Sequence, residues 1–81
     1  MARVSGKTDG DQQLLKLGSA VRAERMKRGL SQEAFADAAG IDRSHMSEIE
    51  RGKRNLTFLN ILKIAEAMGV PPSQLMAVAG L

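Results

Sequence analysis

Four glycines constrain this chain most strongly, because each follows a stretch of apolar residues with helical spacing. These glycines are Gly29, Gly40, Gly52 and Gly69. A glycine just after the last periodic residue is a common signal for the end of a helix. No segment shows the apolar–polar alternation of a β-strand. The pattern therefore predicts an all-α fold of five short helices that begins at Gln12.

Residues that favour helix N-termini occur at the matching places. Ser31, Asp42 and Thr57 are good N-caps, and Pro72 suits the first turn of a fifth helix. The apolar positions predicted to face the core are Leu14, Leu17 and Val21, then Ala34, Phe35, Ala38, Ala39 and Ile41, then Met46 and Ile49, and then Phe58, Ile61, Leu62, Ala65 and Met68. Leu75, Met76 and Val78 give the fifth helix an apolar face.

The chain is short, with 81 residues, no cysteine and one histidine. A core of this size is marginally stable. Neither disulfides nor a histidine-based metal site can stabilise this core further. The additional stability must therefore come from close helix packing or from a partner subunit. The polar, glycine-containing residues 1–11 are predicted to form a flexible tail, and residues 12–81 the folded domain.

Composition excludes several function classes. A net charge of +3 suits a polyanionic partner without requiring one. Two phenylalanines, with no tyrosine or tryptophan, leave no stacking platform for single-stranded nucleic acid. No apolar run resembles a membrane span or a secretory signal, which predicts a cytoplasmic protein. No nucleophile–base pair or metal cluster is evident, so we expect neither an enzyme nor a cofactor, metal or small-molecule ligand.

The second and third predicted helices are short and joined by a tight turn. Gly40 allows the sharp turn and Ile41 is expected to be buried beneath it, as a helix-turn-helix requires. Many all-helical proteins share this pattern. The segment Gly29–Val70, GLSQEAFADAAGIDRSHMSEIERGKRNLTFLNILKIAEAMGV, adds specificity. It resembles the XRE-type helix-turn-helix family of phage repressors and Cro proteins. Within that family, DRSHMSEIERGKRN is most similar to controller proteins of restriction–modification systems.

The resemblance covers about residues 14–78 and implies a compact lambda-repressor-like domain that binds double-stranded DNA. Asp42–Arg51 would be its recognition helix, with N-terminal residues at base edges in the major groove. The candidates for base contacts are Arg43, Ser44, His45, Ser47 and Glu48. Arg43 leads them because a guanidinium can donate two hydrogen bonds to guanine. Each serine can also be read as solvated helix surface, and His45 as an exposed residue without a role.

Two further segments are predicted to contact the DNA backbone. Gln32 lies at the start of the second helix, where free N–H groups and the helix dipole favour a phosphate. The loop after the recognition helix matches the phosphate-binding segment of the family. Its candidate residues are Arg51, Lys53, Arg54 and Asn55. The resemblance favours this interpretation over a solvated basic loop.

Other positions are given structural or interaction roles by the resemblance. Arg25 and Glu50 stand where related repressors have an ion pair between the first and third helices. Leu59 replaces a residue that is usually acidic or polar, and an exposed leucine there is either harmless or part of a contact surface.

A homodimer on a palindromic operator is also implied, because one recognition helix reads too few base pairs for specificity. Leu75, Met76 and Val78 of the fifth helix are the predicted dimer interface, although they could instead close the core of a monomer. An alternative function is an antitoxin-type DNA-binding protein whose main partner is a toxin protein.

Overall fold

The structure, a computed structural model, describes residues 9–10 and 12–81. This part of the chain contains five α-helices and no strand. The helices are α1 (Gln13–Lys27), α2 (Gln32–Ala39), α3 (Arg43–Glu50), α4 (Phe58–Met68) and α5 (Pro72–Ala79). The predicted all-α, five-helix architecture is confirmed. Most of the predicted tail, residues 1–8 and 11, lies outside the described residues. None of the five helices is long and apolar enough to cross a membrane.

Local signals set the helix ends as the sequence predicts. Ser31 and Thr57 cap α2 and α4 by accepting hydrogen bonds from the N–H groups of Ala34 (3.0 Å) and Asn60 (3.1 Å). Gly40 ends α2 in the left-handed region, with a φ of 67°, where a residue with a Cβ is strained. The short lengths of α2 and α4 therefore follow from caps and stops already visible in the sequence.

Asp9 makes two hydrogen bonds at the start of α1. The Asp9 carboxylate accepts a hydrogen bond from the N–H of Leu14 at 2.6 Å. The carbonyl oxygen of Asp9 also accepts one from the N–H of Gln12 at 3.0 Å. Contacts of the folded domain thus reach back into the segment predicted as tail.

The core contains most of the predicted apolar residues. Its buried members are Leu14, Leu17, Ala20, Val21, Phe35, Ala36, Ala39, Ile41, Met46, Ile49, Leu56, Ile64, Ala65, Met68 and Leu75. The prediction misses four of them, Ala20, Ala36, Leu56 and Ile64.

Two alanines of α2 do not face the core as predicted. Phe35, Ala36 and Ala39 form the buried face of this helix. Ala34 and Ala38 are exposed because, at 100° per residue, they point away from that face. The close approach of α2 to its neighbours therefore depends on Ala36 and Ala39.

The start of α4 also departs from the prediction. Phe58 is 70% exposed, because it lies one turn before Ile61, the first residue of α4 that packs against the core. Ile64, which is fully buried, occupies the centre of the helix face instead. Leu59 is exposed, as expected.

The three residues predicted for the dimer interface have different environments. Leu75 is 1% exposed and belongs to the core of its own chain, so it is not available to a partner. Met76 is partly buried and packs against the core. Val78 and the neighbouring Leu81 are 51% and 47% exposed. The exposed apolar residues at the end of α5 and just after it are therefore Val78 and Leu81, with Met76 partly covered by the core.

Two glycines allow α1 to approach α3 and the following loop closely. A Cβ added at Gly18 would lie 2.2 Å from the carbonyl oxygen of Ile49. A Cβ at Gly52, where φ is 70°, would lie 2.6 Å from the Cα of Leu15. Both contacts are with backbone atoms, which cannot move aside as a flexible side chain can. α1 can therefore pack this closely against α3 and the following loop only because Gly18 and Gly52 have no side chain.

Candidate nucleic-acid interface

A tight turn joins α2 to α3 and fixes which face of α3 points outward. Ile41 in this turn is 7% exposed, and its N–H donates to the carbonyl oxygen of Ala36 at 2.9 Å. Met46 and Ile49 are fully buried on the inner face of α3, as predicted. The opposite face is left for solvent or a ligand, which is the arrangement of a helix-turn-helix.

The first turn of α3 is held by its N-cap. Asp42 accepts hydrogen bonds from the hydroxyl and from the N–H of Ser44, the latter at 3.2 Å. The hydroxyl hydrogen bond is the main reason that the pKa of Asp42 lies below its ordinary value of 3.8. Ser44 therefore has a structural role, although its hydroxyl oxygen can still accept a hydrogen bond. Arg43 beside it is exposed.

His45 is not the simple exposed residue that one interpretation of the sequence expects. Its side chain is partly buried. Its Nε2 atom is enclosed and has no hydrogen-bond partner among the described residues. A buried polar atom without a partner costs free energy, so solvation alone does not account for this side chain.

An ion pair joins α3 to the basic loop that follows it. Nη2 of Arg54 lies 3.3 Å from Oε1 of Glu48. The N–H of Lys53 also donates to the carbonyl oxygen of Glu48, at 2.9 Å. Lys53, Arg54 and Asn55 are all exposed. Glu48 thus positions the loop, and this role is additional to the base contact predicted for it.

A buried hydrogen-bond network joins three helices behind this surface. The Glu50 side chain, 3% exposed, accepts from Nε and Nη2 of Arg25 at 2.8 and 3.1 Å. It also accepts from Nε2 of Gln32 at 3.2 Å. Arg25 donates a further hydrogen bond to the carbonyl oxygen of Leu30 at 2.8 Å. The hydrogen bond to Glu50 raises the pKa of Arg25. The network fixes α1, the start of α2 and the end of α3 together.

The structure also brings forward a residue that sequence reasoning misses. Arg22 of α1 shares a polar cleft with Gln32, Ser47 and Arg51. The signal available in the sequence is its spacing, since Arg22 lies three residues before Arg25 and thus on a neighbouring part of the same helix face.

Comparisons with known proteins agree with this geometry. A family profile described as helix-turn-helix matches residues 21–75. Control protein C.BamHI from Bacillus amyloliquefaciens is 43% identical over 63 residues, covering 76% of this chain and 78% of that protein. Control protein C.MunI from a Mycoplasma species is 41% identical over 54 residues, covering 67% and 73%. The solved structure of the restriction-modification controller protein C.AhdI from Aeromonas hydrophila is 45% identical, with a TM-score of 0.75, and covers 76% of this chain and 94% of that one. The chain therefore belongs to the XRE-type helix-turn-helix family of DNA-binding transcriptional regulators and is similar to restriction–modification controller proteins.

Proposed function

We propose that this protein is a restriction–modification controller that binds a palindromic DNA operator as a homodimer. The observation that carries the proposal is that the polar outer face of α3 leads directly into an exposed basic loop. Arg43 lies at one end of this surface and Arg54, paired with Glu48 at 3.3 Å, lies at the other. Such a surface offers both an arginine for base edges and cations for phosphates.

The proposed division of labour follows from the position of each residue relative to the outer face of α3. Arg43 enters the major groove with the first turn of α3, where Ser44, His45, Ser47 and Glu48 are the other candidates for base contacts. The proposed contacts to phosphates come from Gln32, Arg51, Lys53, Arg54 and Asn55, which carry no sequence information by themselves. Because its ligand is DNA, the proposal also places the protein in the cytoplasm.

The proposed dimer uses the exposed end of α5. Val78 and Leu81 are exposed there, Met76 is partly buried against the core, and α5 packs against α1 and α4. Sedimentation at micromolar concentration should show a dimer, and Val78→Lys should shift it toward a folded monomer. Lys16→Gln, an exposed change on α1, is the matched control. A parent chain that stays monomeric at every concentration would contradict the dimer.

Selection of duplexes from a randomised pool tests the DNA-binding proposal as a whole. The expected product is a palindrome with two half-sites about one helical turn apart. Its affinity should fall steeply with added salt, because phosphate contacts release counterions. Recovery of no preferred sequence, or binding that salt does not weaken, would overturn the proposal.

A second candidate is an antitoxin-type DNA-binding protein with a toxin as its partner. It is favoured by the adjacent side chains of Phe58 and Leu59, which are 70% and 66% exposed. Exposed apolar neighbours of this size often mark a protein contact. Co-expression with the products of the neighbouring genes separates the two functions. A stable heterocomplex that Leu59→Ser abolishes favours the antitoxin, whereas a homodimer alone favours the controller.

A further inference from the structure

A polar cleft of about 430 Å³ opens between α1, the start of α2 and α3. Six residues line it, namely Arg22, Arg25, Gln32, Ser47, Glu50 and Arg51. Only α2 and α3 belong to the helix-turn-helix itself, so the wall formed by α1 is contributed from outside the motif.

The charges in this cleft do not balance. Its one carboxylate, Glu50, already accepts two hydrogen bonds from Arg25 and one from Gln32. That leaves the guanidinium groups of Arg22, on α1, and Arg51, at the C-cap of α3, in excess. Guanidinium groups donate in a planar fork that matches the oxygens of a phosphate.

The position of the cleft relates it to the face of α3 that is proposed to read bases. Arg43, Ser47 and Arg51 are spaced by four residues, so they form one stripe along α3. The stripe is about 12 Å long at 1.5 Å per residue, which is close to the width of the major groove. With Arg43 at base edges, Arg51 and the cleft at the other end of the stripe reach the DNA backbone.

We propose that this cleft binds a phosphodiester group of the operator backbone and that Arg22 is a DNA-binding residue. The inference rests on the proposed DNA-binding function. Arg22 and Arg51 hold the phosphate from two sides, while the Ser47 hydroxyl is a further donor. The Arg25–Glu50 pair forms the base of the cleft and holds α1 against α3, which sets the separation of the two arginines.

The test compares Arg22→Gln with Arg28→Gln. Both remove one positive charge from exposed arginines at α1 or its C-cap, but Arg28 does not line the cleft. The probe is the duplex that the parent chain selects, followed by the same duplex with single phosphates replaced by neutral methylphosphonates. Thermal unfolding should show that both variants are folded at the temperature of the binding assay. A small loss of stability is expected for Arg28→Gln, because Arg28 also contacts the Glu24 carboxylate at 3.7 Å.

The expected result is a loss of affinity of about tenfold or more for Arg22→Gln. The slope of log affinity against log salt should fall by about one. The parent and Arg28→Gln should lose affinity when one particular phosphate in each half-site is neutralised, and Arg22→Gln should lose clearly less, because only Arg51 and Ser47 still hold that phosphate. Arg22→Lys, which restores the charge without the fork, should recover part of the affinity.

Two results would overturn the inference in distinguishable ways. If the parent selects a duplex but Arg22→Gln keeps the salt slope and the response to every methylphosphonate, then the cleft holds no DNA phosphate and the proposed function stands. If the parent selects no duplex, the proposed function and the inference both fail. A titration of the protein with inorganic phosphate is a further experiment. If phosphate saturates the cleft while no methylphosphonate weakens DNA binding, the cleft binds free phosphate and the inference is overturned.

Discussion

Two arginine–glutamate pairs, both formed by glutamates in the last turn of α3, have the same chemistry but different surroundings. Arg25 and Glu50 are 12% and 3% exposed and share two hydrogen bonds, the shorter of 2.8 Å. Arg54 and Glu48 are 49% and 37% exposed and share one contact of 3.3 Å. A buried charge that loses its partner is costly, whereas a solvated one is not. The first pair therefore maintains the fold, whereas the second leaves the Arg54 guanidinium at the surface.

The largest expected effect comes from breaking the buried pair. Glu50→Ala should lower the free energy of unfolding by about 3–5 kcal/mol, because Arg25 is left buried without its partner. Glu48→Ala, the matched change in the exposed pair, should cost less than about 1 kcal/mol. Thermal unfolding without DNA measures both. A Glu50→Ala variant that melts like the parent but no longer binds DNA would show that the two pairs have been assigned the wrong roles.

The same helix junction can be strained without removing a charge. Gly18→Ala should cost about 1–3 kcal/mol, since its Cβ would lie 2.2 Å from the carbonyl oxygen of Ile49 and push α3 away. Gly10→Ala is the control, because a Cβ there meets nothing within 4 Å. Denaturant unfolding compares the two variants. Equal stability would mean that the approach of α1 to α3 is looser than described.

The exposed pair is expected to matter for binding and not for folding. Arg54→Ala should weaken binding to every duplex by a similar factor and lower the salt slope by about one. Its melting temperature should stay that of the parent. Lys63→Ala, an exposed change on α4, controls for net charge. Loss of stability in Arg54→Ala, or an unchanged salt slope, would remove the distinction between the two pairs.

The smallest expected effect on stability concerns the N-cap of α3, where the Asp42 carboxylate accepts hydrogen bonds from Ser44. The Ser44 hydrogen bond holds the pKa of Asp42 below 3.8 in the folded chain. The stabilisation is therefore present above that pH and is lost as the pH falls through the lowered pKa. A carboxyl titration followed by NMR should give a midpoint below 3.8 for Asp42, and Ser44→Ala should raise it. A midpoint at or above 3.8 in the parent would contradict the cap.

Local sequence signals predict the helices well, because caps and stops act within a few residues. Ser31, Thr57 and Gly40 illustrate this, since each needs only its own backbone and its near neighbours. Which face of a short helix is buried is harder to predict. In α2 alanines lie on both the buried and the exposed faces, so the sequence pattern does not show which of them face the core. The assignment of Ala34 and Ala38 to the core is wrong for this reason.

The parts of the site that depend on distant contacts are the least predictable. Gly18 looks like an ordinary helix residue until α3 is packed against it. Arg22 has no motif of its own, and its cleft exists only once three helices have come together. The Arg25–Glu50 pair, in contrast, was accessible from the sequence through resemblance to related repressors. Resemblance to a family can predict contacts between residues that are far apart in the sequence. Helical periodicity predicts only contacts between residues a few positions apart.

Duplex selection with Arg43→Ala beside the parent and Arg54→Ala tests the central claim most directly. We expect Arg43→Ala to bind the parental operator more weakly by roughly 1–3 kcal/mol and to lose its preference at one base pair in each half-site. Arg54→Ala should select the parental sequence with lower affinity. If Arg43→Ala selected the same sequence as the parent, with no position relaxed, the first turn of α3 would not be the part of this protein that reads DNA.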